Sequence, residues 1–196
     1  MSRPSLTIDL VRHMKAKDRS KWTQDQDERP LTRLGRQQAD VHAAAMAEGE
    51  KIVAIYASPA LRCRETIAPL ADLLSLETII EPSLRETGGY ASPAGWDGFD
   101  YGPGGHGDNP IGPAMAAGQG LAAIERLRSR HRDGGRIVAC SHGDTIPMMV
   151  TSLAAFAGTP LPPPLWGFGG WYRLRFEEAK VSIERFEPPP GFPIEK

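Results

Sequence analysis

Arg12-His13, Arg62 and His142 combine side chains suited to phosphate chemistry, and each stands just beyond a short apolar run. Arginine presents a planar fork of donors that stays charged at any working pH, so a pair of them can hold a phosphoryl dianion. A neutral imidazole can attack phosphorus and carry the phosphoryl group as phosphohistidine. Ser58 and Gly143 flank the same segments, SPALR and SHG, and a helix starting just after Gly143 would add backbone donors for an anion. Any one of these short motifs has a structural reading of its own. Their joint placement after three separate runs favours function.

The elements that must position them can be read from pattern. LTIDLV, IVAIY and RIVAC are strand-like runs, and in open α/β sheets the ligand crevice lies beyond the carboxyl ends of parallel strands. If the three are parallel, Arg12, His13, Arg62 and His142 converge there. Thr32 is placed to cap a helix from Arg33 to about Glu48, with Leu34, Val41 and Ala45 as its apolar stripe. Ser58-Pro59 is placed to start a helix that runs to about Leu74. Glu77 to Ile80 reads as a short strand. A helix should resume near Ala114, with Ala117, Leu121, Ile124 and Leu127 at helical spacing, and another should begin near Thr145. Trp171 to Phe176 and Val181 to Phe186 read as a closing hairpin. Residues 87–113 gather much of the glycine and proline into a long irregular loop, a candidate lid. The expectation is a single three-layer α/β/α sandwich over residues 1–187, with a mostly parallel sheet and a C-terminal antiparallel hairpin. The proline-rich tail, 188–196, is expected to be loosely held.

Composition narrows the functional class. The chain has 196 residues, with 23 Lys plus Arg against 24 Asp plus Glu, and so lacks the basic excess of a nucleic-acid binder. Cys63 and Cys140 are too few for a disulfide scaffold or a cysteine-rich zinc site. No apolar run approaches the ~18 residues that span a bilayer, and the N-terminus lacks the long apolar region of a signal peptide. A cytoplasmic location is the expectation, with neither a membrane nor a nucleic-acid polymer as partner. The five histidines show no metal-ligand spacing, so no metal and no cofactor are expected. His42 and His131 read as inert residues on helix surfaces.

Leu10-Val11-Arg12-His13 resembles the motif that opens the histidine phosphatase (phosphoglycerate mutase-like) superfamily. Leu31-Thr32-x-x-Gly35-x-x-Gln38-Ala39 is similar to its next block, YASPALRCRET to the block with the second arginine, and SHGD to the block with the second histidine. The resemblance runs over residues 6–150. It implies a phosphoglycerate mutase-like fold, His13 as nucleophile, and Arg12, Arg62 and His142 as the phosphoryl-binding groups. Leu84-Arg85-Glu86 resembles the segment that carries the general acid in one branch and nominates Glu86, with Asp144 and Asp97 as alternatives.

The chain also departs from the family pattern. Met14 stands where glycine is usual. RHMKAKDRSKW, followed by Asp27 and RPLT, resembles the small phosphohistidine phosphatases and, more closely through Arg19, Trp22 and Asp27, the histidine phosphatase domain fused to Nudix hydrolases in actinobacteria. Lys15 and Arg19 could extend the pocket toward further phosphates, and Trp22 could stack on a base. A solvated basic loop (Lys15, Lys17, Arg19, Lys21, Arg29) around a buried Trp22 is the equal alternative.

Rival chemistries fit less well. A serine nucleophile at Ser141 lacks a histidine in the required later position. A cysteine phosphatase needs an arginine where Cys63 is followed by Pro69 and Cys140 by Ile146. The expected function is a phosphatase acting on a phosphate monoester of a small metabolite or nucleotide. The alternatives are a protein phosphohistidine phosphatase, a phosphoglycerate mutase and a non-catalytic phospho-ligand binder.

Overall fold

The computed structural model describes residues 5–86, 94–95, 111–165, 167–178 and 180–194. Six strands form one sheet in the order β3-β2-β4-β1-β5-β6. The strands are β1 (Leu6–Arg12), β2 (Ile52–Ala57), β3 (Thr78–Ile80), β4 (Gly135–Ser141), β5 (Trp171–Glu177) and β6 (Lys180–Phe186). β1, β2, β3 and β4 are parallel, and β5 and β6 close the sheet as the expected antiparallel hairpin. The helices are α1 (Arg33–Ala47), α2 (Leu61–Leu74), α3 (Ile111–Arg130) and α4 (Thr145–Ala157).

Both faces of the central strands are buried, which explains why they read as nearly continuous apolar runs. Leu6, Ile8 and Leu10 of β1 join Ile137, Ala139, Ile124, Leu127 and Met149 in one core, under α3 and α4. Val11 joins Ile55, Val138, Ala39, Met46 and Ile67 in the other, under α1 and α2. Asp9 is fully buried, and its carboxylate accepts from Arg136 Nε at 2.8 Å and from Arg173 Nε at 2.7 Å. Arg136 Nη1 also donates to the carbonyls of Glu48 and Glu50. A buried carboxylate needs such full pairing, and this one ties β1, β4 and β5 together beneath the site.

Several expectations are corrected. The buried stripe of α1 is Gly35, Gln38, Ala39, His42, Ala43 and Met46, rotated from the Leu34, Val41 and Ala45 stripe. His42 is therefore a core residue, with its ring edge-on to Trp171 at 5.5 Å. His131 lies one residue beyond α3, with Nε2 2.9 Å from the Tyr56 hydroxyl. Helix α3 begins at Ile111, so 111–113 belong to it and not to the loop. The rest of the candidate lid, 87–93 and 96–110, lies outside the described residues, as do 195–196. The tail is not loose over 188–194. Phe192 packs against the second core, and the Pro193 carbonyl accepts from Gln38 Nε2 at 2.9 Å.

Candidate functional site

The carboxyl ends of β1, β2 and β4 finish at one level, with Arg12 registered against Ser141 and Ala57 against Cys140. The ladder continues one step further. His13 N donates to the Ser141 carbonyl and Ser58 N to the Cys140 carbonyl, both at 2.9 Å. This brings Arg12, His13, Ser58 and His142 to one edge of the sheet, and the first turn of α2 adds Arg62.

His13 is nearly buried, and its Nδ1 lies 2.8 Å from the Met14 carbonyl. A carbonyl only accepts, so Nδ1 carries the proton and Nε2 keeps its lone pair. Burial is the main force pushing the His13 pKa down to about 3, and the charges of Arg62, Arg12 and Arg29 add to it. A neutral imidazole with an assigned lone pair is what nucleophilic attack requires.

Arg62 is fully buried and acts as the hub. Nη1 donates to the Gln26 carbonyl at 2.6 Å, and Nη2 faces both Glu86 Oε2 at 2.9 Å and His142 Nδ1 at 3.2 Å. Because the guanidinium can only donate, His142 Nδ1 accepts, and its Nε2–H donates to Ser58 Oγ at 2.9 Å. Burial, and then Arg62, push the His142 pKa down to about 2. The two imidazole rings stand edge-on, with centroids 5.4 Å apart.

Ser58 was expected to cap α2. The cap position is Ala60, without a side-chain bond, and Ser58 Oγ serves His142 instead, with only a long 3.4 Å contact to Ala60 N. Gly143 also makes room for Arg12. A β-carbon there would lie 2.7 Å from Arg12 Nε, so its absence lets the guanidinium lie against the turn. The other side of Arg12 is covered by Phe168, whose ring centroid lies 4.5 Å from Cζ. Asp144 caps α4 by accepting from Thr145 N at 2.8 Å, which uses one of its oxygens locally. Asp97 lies outside the described residues.

Glu86 bridges Arg62 and Arg19, accepting from Arg19 Nη1 at 3.0 Å. The structure thus brings Arg19 to the site through Glu86. Lys15 follows His13 by two residues, and its backbone is clamped. Its N–H donates to Gln38 Oε1 at 3.1 Å, and its carbonyl accepts from Thr32 N at 2.9 Å and Thr32 Oγ1 at 3.0 Å. Gly35 belongs to the same clamp, since a β-carbon there would lie 2.0 Å from the Lys15 carbonyl oxygen. Trp22 is half-buried, with Lys17 Nζ 5.4 Å from its ring centroid and its Nε1–H donating to the Asp25 carbonyl at 2.8 Å. It braces the turn that holds Gln26.

Arg29 is the site residue that sequence reasoning did not separate from its neighbours. It is 7% exposed, with Nε donating to Gln26 Oε1 at 3.1 Å and Nη1 to the Lys17 carbonyl at 2.7 Å. Its pKa is lowered by burial and then by the charge of Arg62, and its own charge bears on both His13 and His142. The available signal was its position just before Pro30-Leu31-Thr32, because Leu31 pairs with Ala16 in an antiparallel bridge that draws Arg29 inward. Among the described residues there is no group of three or more His, Cys, Asp or Glu able to hold a metal ion.

The profile of the histidine phosphatase superfamily, branch 1, matches residues 8–91, which include His13, Arg62 and Glu86. Over those residues, somewhat under half of its length, the chain is similar to that superfamily. An 8-oxo-(d)GTP phosphatase of Mycolicibacterium smegmatis is 41% identical over 81 residues, covering 41% of this chain and 24% of that protein. The match thus spans about a quarter of that longer relative. Mycobacterial glucosyl-3-phosphoglycerate phosphatase superposes with a TM-score of 0.66 at 16% identity, over 94% of this chain and 100% of that one. Phosphoglycerate mutase from Bacillus anthracis gives 0.67 at 15%, over 93% of this chain and 92% of the other. At such identities the two structures establish a phosphoglycerate mutase-like fold and nothing beyond it. Among the described residues no helix is long and apolar enough to cross a membrane.

Burial of the imidazoles has a measurable consequence for stability. His13, His42 and His142 have pKa values lowered to about 3, about 4 and about 2, from 6.5. As pH falls below 6.5, the unfolded chain binds protons that the folded chain refuses, so stability present above that pH is progressively lost. Each histidine contributes up to about 1.4 kcal/mol per pH unit until its folded pKa is approached. The urea midpoint should therefore drop steadily between pH 7.5 and pH 5, and less steeply in His42→Gln. A midpoint constant over that range would contradict the assigned neutral imidazoles.

Proposed function

We propose that this chain hydrolyses a phosphate monoester of a small metabolite or nucleotide through a phosphohistidine on His13. The observation that carries the reading is the Nδ1–H bond from His13 to the Met14 carbonyl, which reserves Nε2 as a nucleophile beside buried arginines. The sequence match to a relative named 8-oxo-(d)GTP phosphatase supports the nucleotide side of the substrate class. It covers a quarter of that protein and no more.

In the first step the Nε2 lone pair of His13 forms the N–P bond while the P–O ester bond breaks in line, and the leaving oxygen takes the electron pair. With His142 Nδ1 held against Arg62 to orient it, Arg12, Arg62 and Arg29 bear the charge on the equatorial oxygens, a role in which fixed donors in a dry site are most effective. Glu86 supplies the proton to the leaving oxygen. In the resting arrangement both its oxygens accept from arginines, so it must be released and protonated as the phosphoryl group engages Arg62. Water then attacks the phosphohistidine, breaking the N–P bond and freeing phosphate. The arginines supply the positive charge, so the mechanism requires no metal ion. A cytoplasmic location, with neither a membrane nor a nucleic-acid polymer as partner, completes the proposal.

Leaving-group dependence tests the reading. With excess chelator present, wild-type protein should release phosphate from both phenyl phosphate and an alkyl phosphate. Glu86→Gln should slow the alkyl ester by about 10²-fold, as loss of a general acid does, and the phenyl ester much less, because phenoxide leaves without full protonation. Equal slowing of both esters would remove Glu86 from the acid role. Loss of all activity on chelation, restored by a divalent ion, would overturn the mechanism.

A further inference from the structure

Beside Glu86 lies a cleft of about 380 Å³, lined by Ser83, Arg85, Glu86, Gln119, Arg126 and Thr145 among others. Glu86 is the wall it shares with the phosphate site, since Oε2 lies 2.9 Å from Arg62 Nη2. An acid must stand within hydrogen-bond reach of the leaving oxygen, so the rest of the leaving group extends past Glu86. The cleft begins at that residue, and its volume falls in the range that takes a small molecule.

Its chemistry is polar and its charge is uneven. Arg128 and Arg130, also on α3, pair with Glu125 and Glu81 respectively. Arg126 has no carboxylate partner among the described residues, although it is exposed on the same helix. Arg85 is paired with Asp27 at 3.1 Å, and the Glu86 carboxylate is matched by Arg19 and Arg62. Of the cleft's charges, the guanidinium of Arg126 is the one that no carboxylate among the described residues compensates. Gln119 and Thr145 supply neutral hydrogen-bonding groups alongside it.

We infer that this cleft is a leaving-group subsite, in which Arg126 selects substrates whose leaving group carries a second anionic group, a carboxylate or a further phosphate. The inference rests on the phosphatase reading for the direction in which the leaving group points. Arg126 binds the second anion as a charge-assisted donor, and Arg85 joins it when the anion competes with Asp27.

The test measures binding with turnover blocked. His13→Ala protein is titrated calorimetrically with two matched pairs, 3-phosphoglycerate against glycerol 3-phosphate and ADP against AMP. In each pair the first member carries the extra anionic charge. At least one should bind about tenfold tighter than its partner, a difference typical of one charge-assisted contact. Adding Arg126→Ala should erase that preference, Arg126→Lys should keep part of it, and added salt should weaken it. Preference within the first pair alone identifies a carboxylate, and within the second alone a further phosphate. Equal binding within both pairs, no binding by any of the four, or a preference that survives Arg126→Ala overturns the inference. The phosphatase reading fails by a separate result, an absence of phosphate release from phenyl phosphate by wild-type protein.

Discussion

Replacing His13 with alanine is expected to lower kcat/KM for phenyl phosphate by about 10⁴-fold or more while the fold is kept. The loss is large because no other group in the cluster can take over the attack. His142 has Nδ1 engaged by Arg62 and Nε2–H given to Ser58, so its lone pair is not directed at substrate in this arrangement. Cys63 is buried, with its sulfur against the Ser141 carbonyl at 3.5 Å. The fold should persist because His13 contributes one side-chain hydrogen bond to its neighbour's carbonyl, while the strand around it is held by the ladder of β1 with β4 and β5. Circular dichroism and a phosphate-release assay on the same preparation check both halves. Undiminished hydrolysis by the folded variant would remove His13 from the reaction.

Arg62→Lys is expected to cost about 10³-fold in kcat, in the range seen when an arginine is lost from a phosphoryl-transfer site. The charge is retained, so the loss isolates geometry. One guanidinium reaches the Gln26 carbonyl, Glu86 and His142 at once, and an ammonium on a flexible stem cannot reproduce that fork. Arg62→Ala should be worse in stability as well, since it strands the Gln26 carbonyl and His142 Nδ1 at a cost of about 1–3 kcal/mol for each group left buried and unsatisfied. Steady-state kinetics of the lysine variant beside its urea midpoint separates the two effects. A lysine variant with near wild-type kcat would show that the fork is dispensable.

The gathering of Arg12, His13, Arg62 and His142 at one sheet edge, and the strands beneath them, were legible because their signals are local. A polar residue at the end of a buried run sits at the sheet edge whatever surrounds it, and LTIDLV, IVAIY and RIVAC are buried on both faces apart from Val53. What the sequence concealed depended on contacts distant along the chain. Arg29 sits in a charged stretch that ordinarily faces water, and only the pairing of Ala16 with Leu31 turns it inward. His42 reads as a surface residue when the apolar stripe of α1 is drawn through Leu34, Val41 and Ala45, whereas the stripe that packs uses Gly35, Ala39, Ala43 and Met46. Ser58 stands in an ordinary capping sequence, yet its hydroxyl goes to a histidine 84 positions later. The tail from Pro188 carries no periodic pattern. Its docking through Phe192 and Gln38 follows from the shape of Gly169, where a β-carbon would strike the Phe192 ring at 2.5 Å.

The most direct measurement is to trap the covalent intermediate. Protein mixed with a ³²P-labelled phosphate monoester, quenched within a turnover in alkali and digested, should yield a phosphoryl label that survives base and is lost in acid. That label should map to the peptide containing His13 and be absent from His13→Ala. Label on any other residue, or full turnover with inversion at a chiral phosphorus and no label at all, would contradict the phosphohistidine route.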